Sequence, residues 1–199
     1  MSHGIEIEFK NMLSKTKYDE LLTAFDIQEE EVVRQENHYF DTADFQLKAI
    51  ESGLRIRILP NKIECTLKEK SSDHTHIETT DLLTEEQVQH ILQGGQWTAP
   101  TVVARLQERG IATEQLALFG TLATERAEIP YEGGLLVLDH SFYLQQDDYE
   151  VEYEATDEIV GRTIFQQFLT HYNIPIAHAD KKIARFAAAL QREERNDGY

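Results

Sequence analysis

The stretch GIEIEFKN, residues 4–11, alternates apolar and charged side chains without a break. A period of two residues is typical of a β-strand whose two faces differ, because successive side chains point to opposite sides. The charged face carries Glu6, Glu8 and Lys10, and the two carboxylates stand roughly 6.5–7 Å apart along the strand. Most strands of this kind pack one face on a core and turn the other to water. The rest of the chain decides whether this charged face has a function.

Strand signals recur along the chain. Together with residues 4–10 they predict eight strands, the other seven at 31–40, 54–59, 63–69, 75–82, 118–130, 134–143 and 149–156. Turn signals separate several of them, at residues 60–62, 132–134 and 145–148. In the stretch LRIRI, Arg55 and Arg57 lie on the face opposite the apolar residues. The pattern of the first strand is therefore repeated in others.

Five amphipathic helices are predicted between and after these strands. Ser14 is the expected N-cap of the first, and Thr84 begins the second, which ends at Gly94. The remaining three are predicted from Pro100 to Gly110 and around residues 160–169 and 183–190.

Strands of this kind combined with amphipathic helices favour an α+β fold. The apolar stripes of the helices need partners, and the apolar strand faces are available. The charged faces then line either the water beside an open sheet or the interior of a closed eight-stranded barrel, which has room for side chains or one small ligand. Carboxylates dominate the first and last strands, whereas arginine and lysine occupy the third, fourth and sixth. The pattern alone leaves both arrangements open.

Length and composition predict a single domain over residues 1–199, since β-rich barrels of this size often do not divide. With 36 acidic and 19 basic residues the net charge is −17, which disfavours nucleic acid and anionic membranes as partners. The single cysteine, Cys65, is in phase with the apolar residues of its strand and is predicted to be buried. One cysteine, no bilayer-length apolar run and no signal-peptide segment predict a cytoplasmic protein.

Several motifs resemble those of a known family. The stretch EIEFK matches an E-x-E-x-K signature with Glu6, Glu8 and Lys10. The further motifs follow in the family's order: YFDT at 39–42, LRIR at 54–57, TLK at 66–68, Arg126, Asp139, the E-x-E of 150–152, and KKIARF at 181–186. The chain thus resembles the CYTH, or triphosphate tunnel metalloenzyme, superfamily over nearly its whole length. It is most similar to the small Gram-positive bacterial branch, whose members are often labelled adenylate cyclases or thiamine triphosphatase-like proteins.

The resemblance implies a fold, a chemistry and a cofactor. The family fold is an eight-stranded antiparallel β-barrel whose charged side chains line a tunnel. Its members bind a linear triphosphate with a divalent metal, and they hydrolyse tripolyphosphate, thiamine triphosphate or nucleoside triphosphates. The implied cofactor is Mg²⁺ or Mn²⁺, and the implied partner is a small-molecule triphosphate, with no nucleic acid and no membrane. Carboxylate oxygens suit these ions, and guanidinium and ammonium groups suit phosphate.

Carried over position by position, the resemblance implies three sets of site residues. The implied metal ligands are Glu6, Glu8, Glu150 and Glu152. The implied substrate-binding residues are Lys10, Arg55, Arg57, Lys68, Arg126, Lys182 and Arg185. The residues implied to take part in the reaction are Lys10, Asp139 and Lys182. Whether Glu64, Glu78 and Glu154 join the site is left open, and Asp41 is interpreted as a turn cap.

Three functions are compatible with these residues. The first is a metal-dependent hydrolase of a small linear triphosphate. The second is an adenylyl cyclase of the class IV type, although nothing in the sequence singles out a pocket for the adenine base. The third is a module that binds a polyphosphate or a phosphorylated metabolite without turnover, which the acidic last strand disfavours because carboxylates weaken binding of a bare anion. The sequence does not distinguish the substrates or give the oligomeric state.

Overall fold

The structure is a computed structural model that describes residues 2–196 and the side chains of residues 4–192. Eight β-strands, β1 to β8 in chain order, span Ser2–Leu13, Val33–Thr42, Ser52–Ile58, Ile63–Lys70, Thr75–Leu83, Leu116–Tyr131, Gly134–Tyr143 and Gln146–Ala155. Six α-helices, α1 to α6, span Lys15–Ala24, Gln46–Ala49, Glu85–Leu92, Pro100–Glu108, Glu158–His171 and Lys182–Asn196. The eight predicted strands and five predicted helices are confirmed. The additional helix, α2, is a single turn between β2 and β3 that the sequence pattern did not predict.

The eight strands form one closed antiparallel barrel in the order β1-β5-β4-β3-β2-β6-β7-β8. Closure gives each strand one face toward the interior and one toward the outside. Of the two arrangements that the charge pattern left open, the closed barrel is therefore correct. None of the helices in the described part of the chain is long and apolar enough to cross a membrane.

The chain contacts divide the molecule into two compact units, which we call the first and second half-barrels. The first half-barrel comprises residues 2–6 and 35–121. Its core packs α3 and α4 on the outer face of β3 and β4, and includes Leu54, Ile56, Cys65, Leu67, Val88, Ile91, Val102 and Leu106. Cys65 is fully buried, as predicted, and burial raises the pKa of its thiol well above the usual range.

The second half-barrel comprises residues 7–34 and 122–196. Its core packs α1 and α5 on the outer face of β1, β7 and β8, and includes Phe9, Leu21, Leu136, Leu138, Val151, Tyr153, Phe165 and Phe168. The rings of Phe9 and Phe165 stack with their centroids 6.1 Å apart. Each half-barrel therefore covers its apolar outer face with its own helices, so that the opposite strand faces, with their charged residues, turn inward.

Local sequence signals begin the helices where they were predicted. The Ser14 hydroxyl accepts a hydrogen bond from the Lys17 amide (3.2 Å) at the start of α1. Thr84 and Gln87 form a reciprocal capping box at the start of α3. These caps satisfy amide groups that have no partner inside the helix. They depend on residues three positions apart, which is why the sequence alone reveals them.

Two of the hairpin turns are shorter than the sequence suggested. Between β6 and β7 the turn consists of Glu132 and Gly133, both with positive φ (45° and 79°), as a type I′ hairpin turn requires. Between β7 and β8 the predicted turn at residues 145–148 is wrong. The turn there consists of Leu144 and Gln145, because β8 already begins at Gln146.

Two buried carboxylates of the first half-barrel hold α4 on the sheet. Asp81 Oδ2 accepts hydrogen bonds of 2.7 and 3.0 Å from two backbone amides in the first turn of α4, whose own N-cap residue, Ala99, has no side-chain acceptor. The Glu69 carboxylate accepts from Arg105 Nε (2.7 Å) and from Arg109 Nε (2.6 Å) near the other end. Both acids come from strands, so α4 is fixed by residues far from it in the sequence.

Candidate active site

The inward face of the first half-barrel carries three cations. The strand register places Lys68 of β4 directly opposite Glu78 of β5. Lys68 forms an ion pair with Glu6, and its Nζ lies 3.9 Å from Glu78 Oε1. Arg55 Nη2 lies 4.0 Å from the same oxygen of Glu78. The side chains of Arg55 and Lys68 are 22% and 21% exposed, so a ligand can reach both cations.

The third cation is oriented by a neutral partner. Arg57 Nε donates a 2.9 Å hydrogen bond to Asn37 Oδ1, directly across the strand pair. Asn37 is buried, and Tyr39 lies two residues further along the same strand, opposite Arg55. The sequence interpretation missed Asn37, although its alternation with Tyr39 and Asp41 in ENHYFD was a usable signal. Its amide holds Arg57 without neutralising the guanidinium charge.

The second half-barrel has a buried ion pair at its centre. Arg126 donates to both carboxylate oxygens of Asp139, from Nε (2.7 Å) and from Nη2 (2.6 Å), and Nη2 also donates to Glu152 Oε2 (3.0 Å). Asp139 is fully buried. Burial raises the pKa of Asp139, but the charges of Arg126 and Lys182 outweigh it and hold that pKa below its usual range. Asp139 is therefore ionised. Its two charge-assisted hydrogen bonds hold the Arg126 guanidinium in one orientation.

Helix α6 adds two further cations to this cluster. Lys182 forms an ion pair with Glu150, and its Nζ lies 2.7 Å from Asp139 Oδ2 and 3.1 Å from Glu152 Oε1. One helical turn later, Arg185 reaches Glu150 (2.6 Å) and Asp148 (2.8 Å). Glu150 is fully buried between Lys182 and Arg185, so it anchors α6 as well as contributing negative charge.

Lys10 connects β1 with β8 inside the second half-barrel. Its Nζ lies 3.2 Å from Glu8 Oε2 and 3.3 Å from Glu152 Oε1. Burial lowers the pKa of Lys10, but the attraction of Glu152 and Glu8 outweighs burial, so the pKa is raised and the ammonium keeps its proton. In the strand register Lys10 lies opposite Glu152, and Glu8 lies opposite Glu154. The neighbour of Glu8 across this strand pair is therefore Glu154, whose role the sequence left open.

The donor set of the second half-barrel fits a hard divalent ion. Carboxylate oxygens of Asp139, Glu150 and Glu152 lie within 4.8 Å of one another, and oxygen donors of this kind suit Mg²⁺ and Mn²⁺. Lys182 Nζ contacts all three carboxylates. Burial, together with the charges of Arg126 and Lys10, lowers the pKa of Lys182. An ion held by all three carboxylates would have to displace this amine.

The structure distributes the predicted site residues over the two half-barrels. It brings together eight of them in the second half-barrel: Glu8, Lys10, Arg126, Asp139, Glu150, Glu152, Lys182 and Arg185. Glu6, Arg55, Arg57 and Lys68 lie in the first half-barrel.

Two further neighbours of these residues were not among the predicted site residues. Asp148 binds Arg185 but had been assigned to a turn, and His76 has a ring nitrogen within 4.8 Å of a Glu6 oxygen. For His76 the sequence did offer a signal, its alternation with Glu78 on β5. Asp41 accepts three backbone amide hydrogen bonds, from Thr42, Leu47 and Lys48, which confirms that it is a turn cap.

A closed barrel of eight antiparallel strands, with inward-facing acids and bases in both halves, defines a class of β-barrel proteins with a charged interior. Within that class, the chain belongs to the CYTH domain family, whose sequence model matches residues 4–187.

Comparison with individual proteins agrees with this assignment. The chain is 42% identical over 186 residues to YjbK of Bacillus subtilis (strain 168), which is named as a candidate triphosphatase, and the match covers 94% of this chain and 96% of YjbK. A crystal structure from Bacillus halodurans, described as a candidate adenylate cyclase, is 39% identical with a TM-score of 0.89, covering 94% of this chain and 99% of that one. The HpAC1 protein from Hippeastrum shares the fold, with a TM-score of 0.75 at 24% identity over 93% and 95% of the two chains.

Proposed function

We propose that this protein is a divalent-metal-dependent hydrolase of a small linear triphosphate that binds inside the barrel. The observation that carries the proposal is the inward cationic face of the first half-barrel. Arg55, Arg57 and Lys68 are concentrated there in a chain whose net charge is −17. Such a concentration favours an anion of high charge, because an acidic protein repels anions elsewhere on its surface.

The three cations suit a polyphosphate in geometry as well as in charge. Guanidinium groups donate paired hydrogen bonds to phosphate oxygens, and each such charge-assisted bond is stronger than a neutral one. The partners of Arg55 and Lys68 at Glu78 lie 4.0 and 3.9 Å away, beyond hydrogen-bond distance. Phosphate oxygens could therefore replace the contacts of Arg55 and Lys68 with Glu78, while Lys68 would also exchange its ion pair with Glu6.

The carboxylates supply the second requirement, a metal site. We assign Glu6, Glu8, Glu150 and Glu152 as its ligands; the assignment of Glu150 and Glu152 is supported by carboxylate oxygens that lie within 4.8 Å of each other. When bound, Mg²⁺ or Mn²⁺ would neutralise phosphate oxygens and lower the pKa of a bound water.

The remaining residues of the second half-barrel act on the substrate through their charges. Lys10 remains protonated and can donate to a phosphate oxygen. Burial lowers the pKa of Lys182, so its amine can donate a hydrogen bond to the substrate or take up a proton. Asp139 is a positioning residue, since it holds Arg126 and Lys182 by direct ion pairs. Phosphoryl transfer requires this type of positioning and charge neutralisation more than covalent chemistry.

The relationship to YjbK, named as a candidate triphosphatase, supports the same activity for this chain. The test is phosphate release from tripolyphosphate, thiamine triphosphate and ATP with Mg²⁺ or Mn²⁺, with a chelator as control. Metal-dependent phosphate release supports a hydrolase. Formation of cyclic AMP and pyrophosphate from ATP would instead identify a cyclase, and binding of tripolyphosphate without turnover would identify a binding module.

A further inference from the structure

Phe45 combines an unusual backbone conformation with an exposed aromatic ring. Its φ and ψ are 57° and 45°, the left-handed region that bulky side chains rarely adopt. Its side chain is 47% exposed. The only other apolar residue in the described chain with positive φ is Leu144, which lies in a hairpin turn. A glycine or asparagine would fit the Phe45 backbone with less strain. The presence of an exposed phenyl ring at this position makes it a candidate functional group.

The surrounding backbone forces this conformation. The Phe45 amide donates to the Thr42 carbonyl (2.9 Å), and the Phe45 carbonyl accepts from the Ala49 amide (2.9 Å). Asp41, which is buried, accepts from amides on both sides of Phe45, those of Thr42 and Leu47. Phe45 is therefore held at a fixed position in the connection between β2 and β3, with its ring presented to solvent.

A row of aromatic rings leads from Phe45 to a cation of the proposed phosphate site. The rings of Phe45 and Phe119 meet edge to face with their centroids 6.5 Å apart, and those of Phe119 and Tyr39 lie 6.4 Å apart. Tyr39 is directly opposite Arg55 in the strand register. All four residues belong to the first half-barrel. At about 3.3 Å per residue, the three residues from Tyr39 to Thr42 place the end of β2 on the order of 10 Å beyond Arg55, and Phe45 is held there by its hydrogen bond to the Thr42 carbonyl.

We propose that Phe45 and Phe119 form an aromatic rim that stacks on the base of a nucleoside triphosphate whose phosphates bind Arg55. The inference rests on the proposed function and names the residues that set its substrate preference. A base attached to a triphosphate lies on the order of 10 Å from the middle phosphate, which matches the estimated span, and an aromatic side chain binds any base through its π-face. Lys48 Nζ lies 5.6 Å from the Phe45 ring centroid. Its positive charge favours a neutral base over a cationic ring such as thiazolium.

The test compares KM values for ATP, thiamine triphosphate and inorganic tripolyphosphate in the wild-type protein and in three variants. Phe45→Gly removes the ring and relieves the backbone strain, so its melting temperature is expected to be no lower than wild type. Phe45→Tyr keeps an aromatic ring. Leu144→Gly is the matched control, because Leu144 has a φ of 53° and is 40% exposed but lies in the second half-barrel.

The expected result is a roughly tenfold rise in the ratio of the ATP KM to the tripolyphosphate KM in Phe45→Gly. Phe45→Tyr and Leu144→Gly should keep the wild-type ratio. An unchanged ratio in Phe45→Gly would overturn the aromatic rim while leaving the triphosphatase intact, and an effect confined to thiamine triphosphate would overturn the assignment to a neutral base. A wild-type protein that neither binds nor hydrolyses tripolyphosphate would overturn the proposed function itself.

Discussion

The two half-barrels carry similar alternating strands but use their inward charges differently. In the first half-barrel the side chains of Glu6, Arg55, Lys68 and Glu78 are between 21% and 25% exposed, and Glu78 lies 4.0 Å from Arg55 and 3.9 Å from Lys68. In the second, Asp139 and Glu150 are at most 1% exposed, and their contacts with Arg126, Lys182 and Arg185 are short. The first half-barrel therefore leaves charged side chains partly exposed, whereas the second buries most of its charged side chains in internal ion pairs.

This difference has an energetic reason. Partly exposed ion pairs contribute little to stability because water screens them, so such cations can change partners at small cost. A buried charge loses its hydration, and the loss is balanced only by short contacts with opposite charges. Removing a partly exposed cation of the first half-barrel should therefore impair binding more than stability, and removing the buried guanidinium of the second should impair stability directly. The following predictions test that distinction, beginning with the largest effect.

Replacing Arg126 should cause the largest loss of stability. Arg126→Met leaves Asp139 and Glu152 without their main guanidinium partner, and breaking one side of a buried ion pair costs about 3–5 kcal/mol. Urea denaturation followed by circular dichroism measures the free energy of unfolding.

Arg34→Met is the matched control, because Arg34 is 64% exposed and its pair with Glu125 should contribute less than about 1 kcal/mol. Combining Arg126→Met with Asp139→Leu should recover part of the loss by removing an unpaired charge. Equal stability of the two single variants would show that the second half-barrel does not depend on its buried charges.

Glu6→Gln and Glu8→Gln should each lower metal-dependent phosphate release about 100-fold or more while leaving the fold intact. The amide keeps the shape of the side chain but loses the anionic oxygen that a divalent ion requires. Hydrolysis of tripolyphosphate at limiting Mn²⁺ gives the rate, and circular dichroism checks the fold. Glu20→Gln, at an exposed position on α1, is the control. Wild-type rates in both variants at limiting metal would rule out these two carboxylates as ligands.

In the first half-barrel, Arg55→Ala and Arg57→Ala should each weaken binding of tripolyphosphate by about 1.5–3 kcal/mol, or roughly 10- to 150-fold in Kd. The free energy of unfolding should change by less than about 1 kcal/mol, because both side chains are only partly buried and ion pairs of such residues contribute little to stability. Isothermal titration calorimetry without added metal measures the affinity, with Arg34→Ala as the exposed control. If both variants bind like wild type, these arginines are ordinary surface residues.

The smallest expected effect concerns a buried acid that serves the fold alone. Asp81→Asn should destabilise the first half-barrel by about 1 kcal/mol, the usual contribution of a helix cap, since it weakens the acceptor for two amides of α4. Hydrogen exchange should increase mainly in the first turn of α4. Asp157→Asn, at the local N-cap of α5, is the comparison. Faster exchange in the barrel interior with no change in α4 would contradict the assignment of Asp81 as a cap.

The sequence by itself determined the parts of the structure that depend on neighbouring residues. Period-two alternation identified all eight strands, because a strand with one buried face must alternate along its length. The caps at Ser14 and Thr84 were visible because their partners lie three residues away. The inward direction of Arg55, Arg57 and Lys68 followed from the same alternation once the barrel was known to be closed.

Only the tertiary structure decided whether the barrel closes and which charge pairs with which. An open and a closed sheet have the same alternation, so closure depends on which strands become neighbours. Lys10 contacts Glu152 across 142 residues of sequence, and the cap of α4 comes from Asp81 on a strand. Such pairings are set by strand register and helix docking, and a shift of one residue would turn every side chain of a strand to the other face. The residue types of the site could therefore be predicted from the sequence. Their interaction partners could be identified only from the strand register of the folded protein.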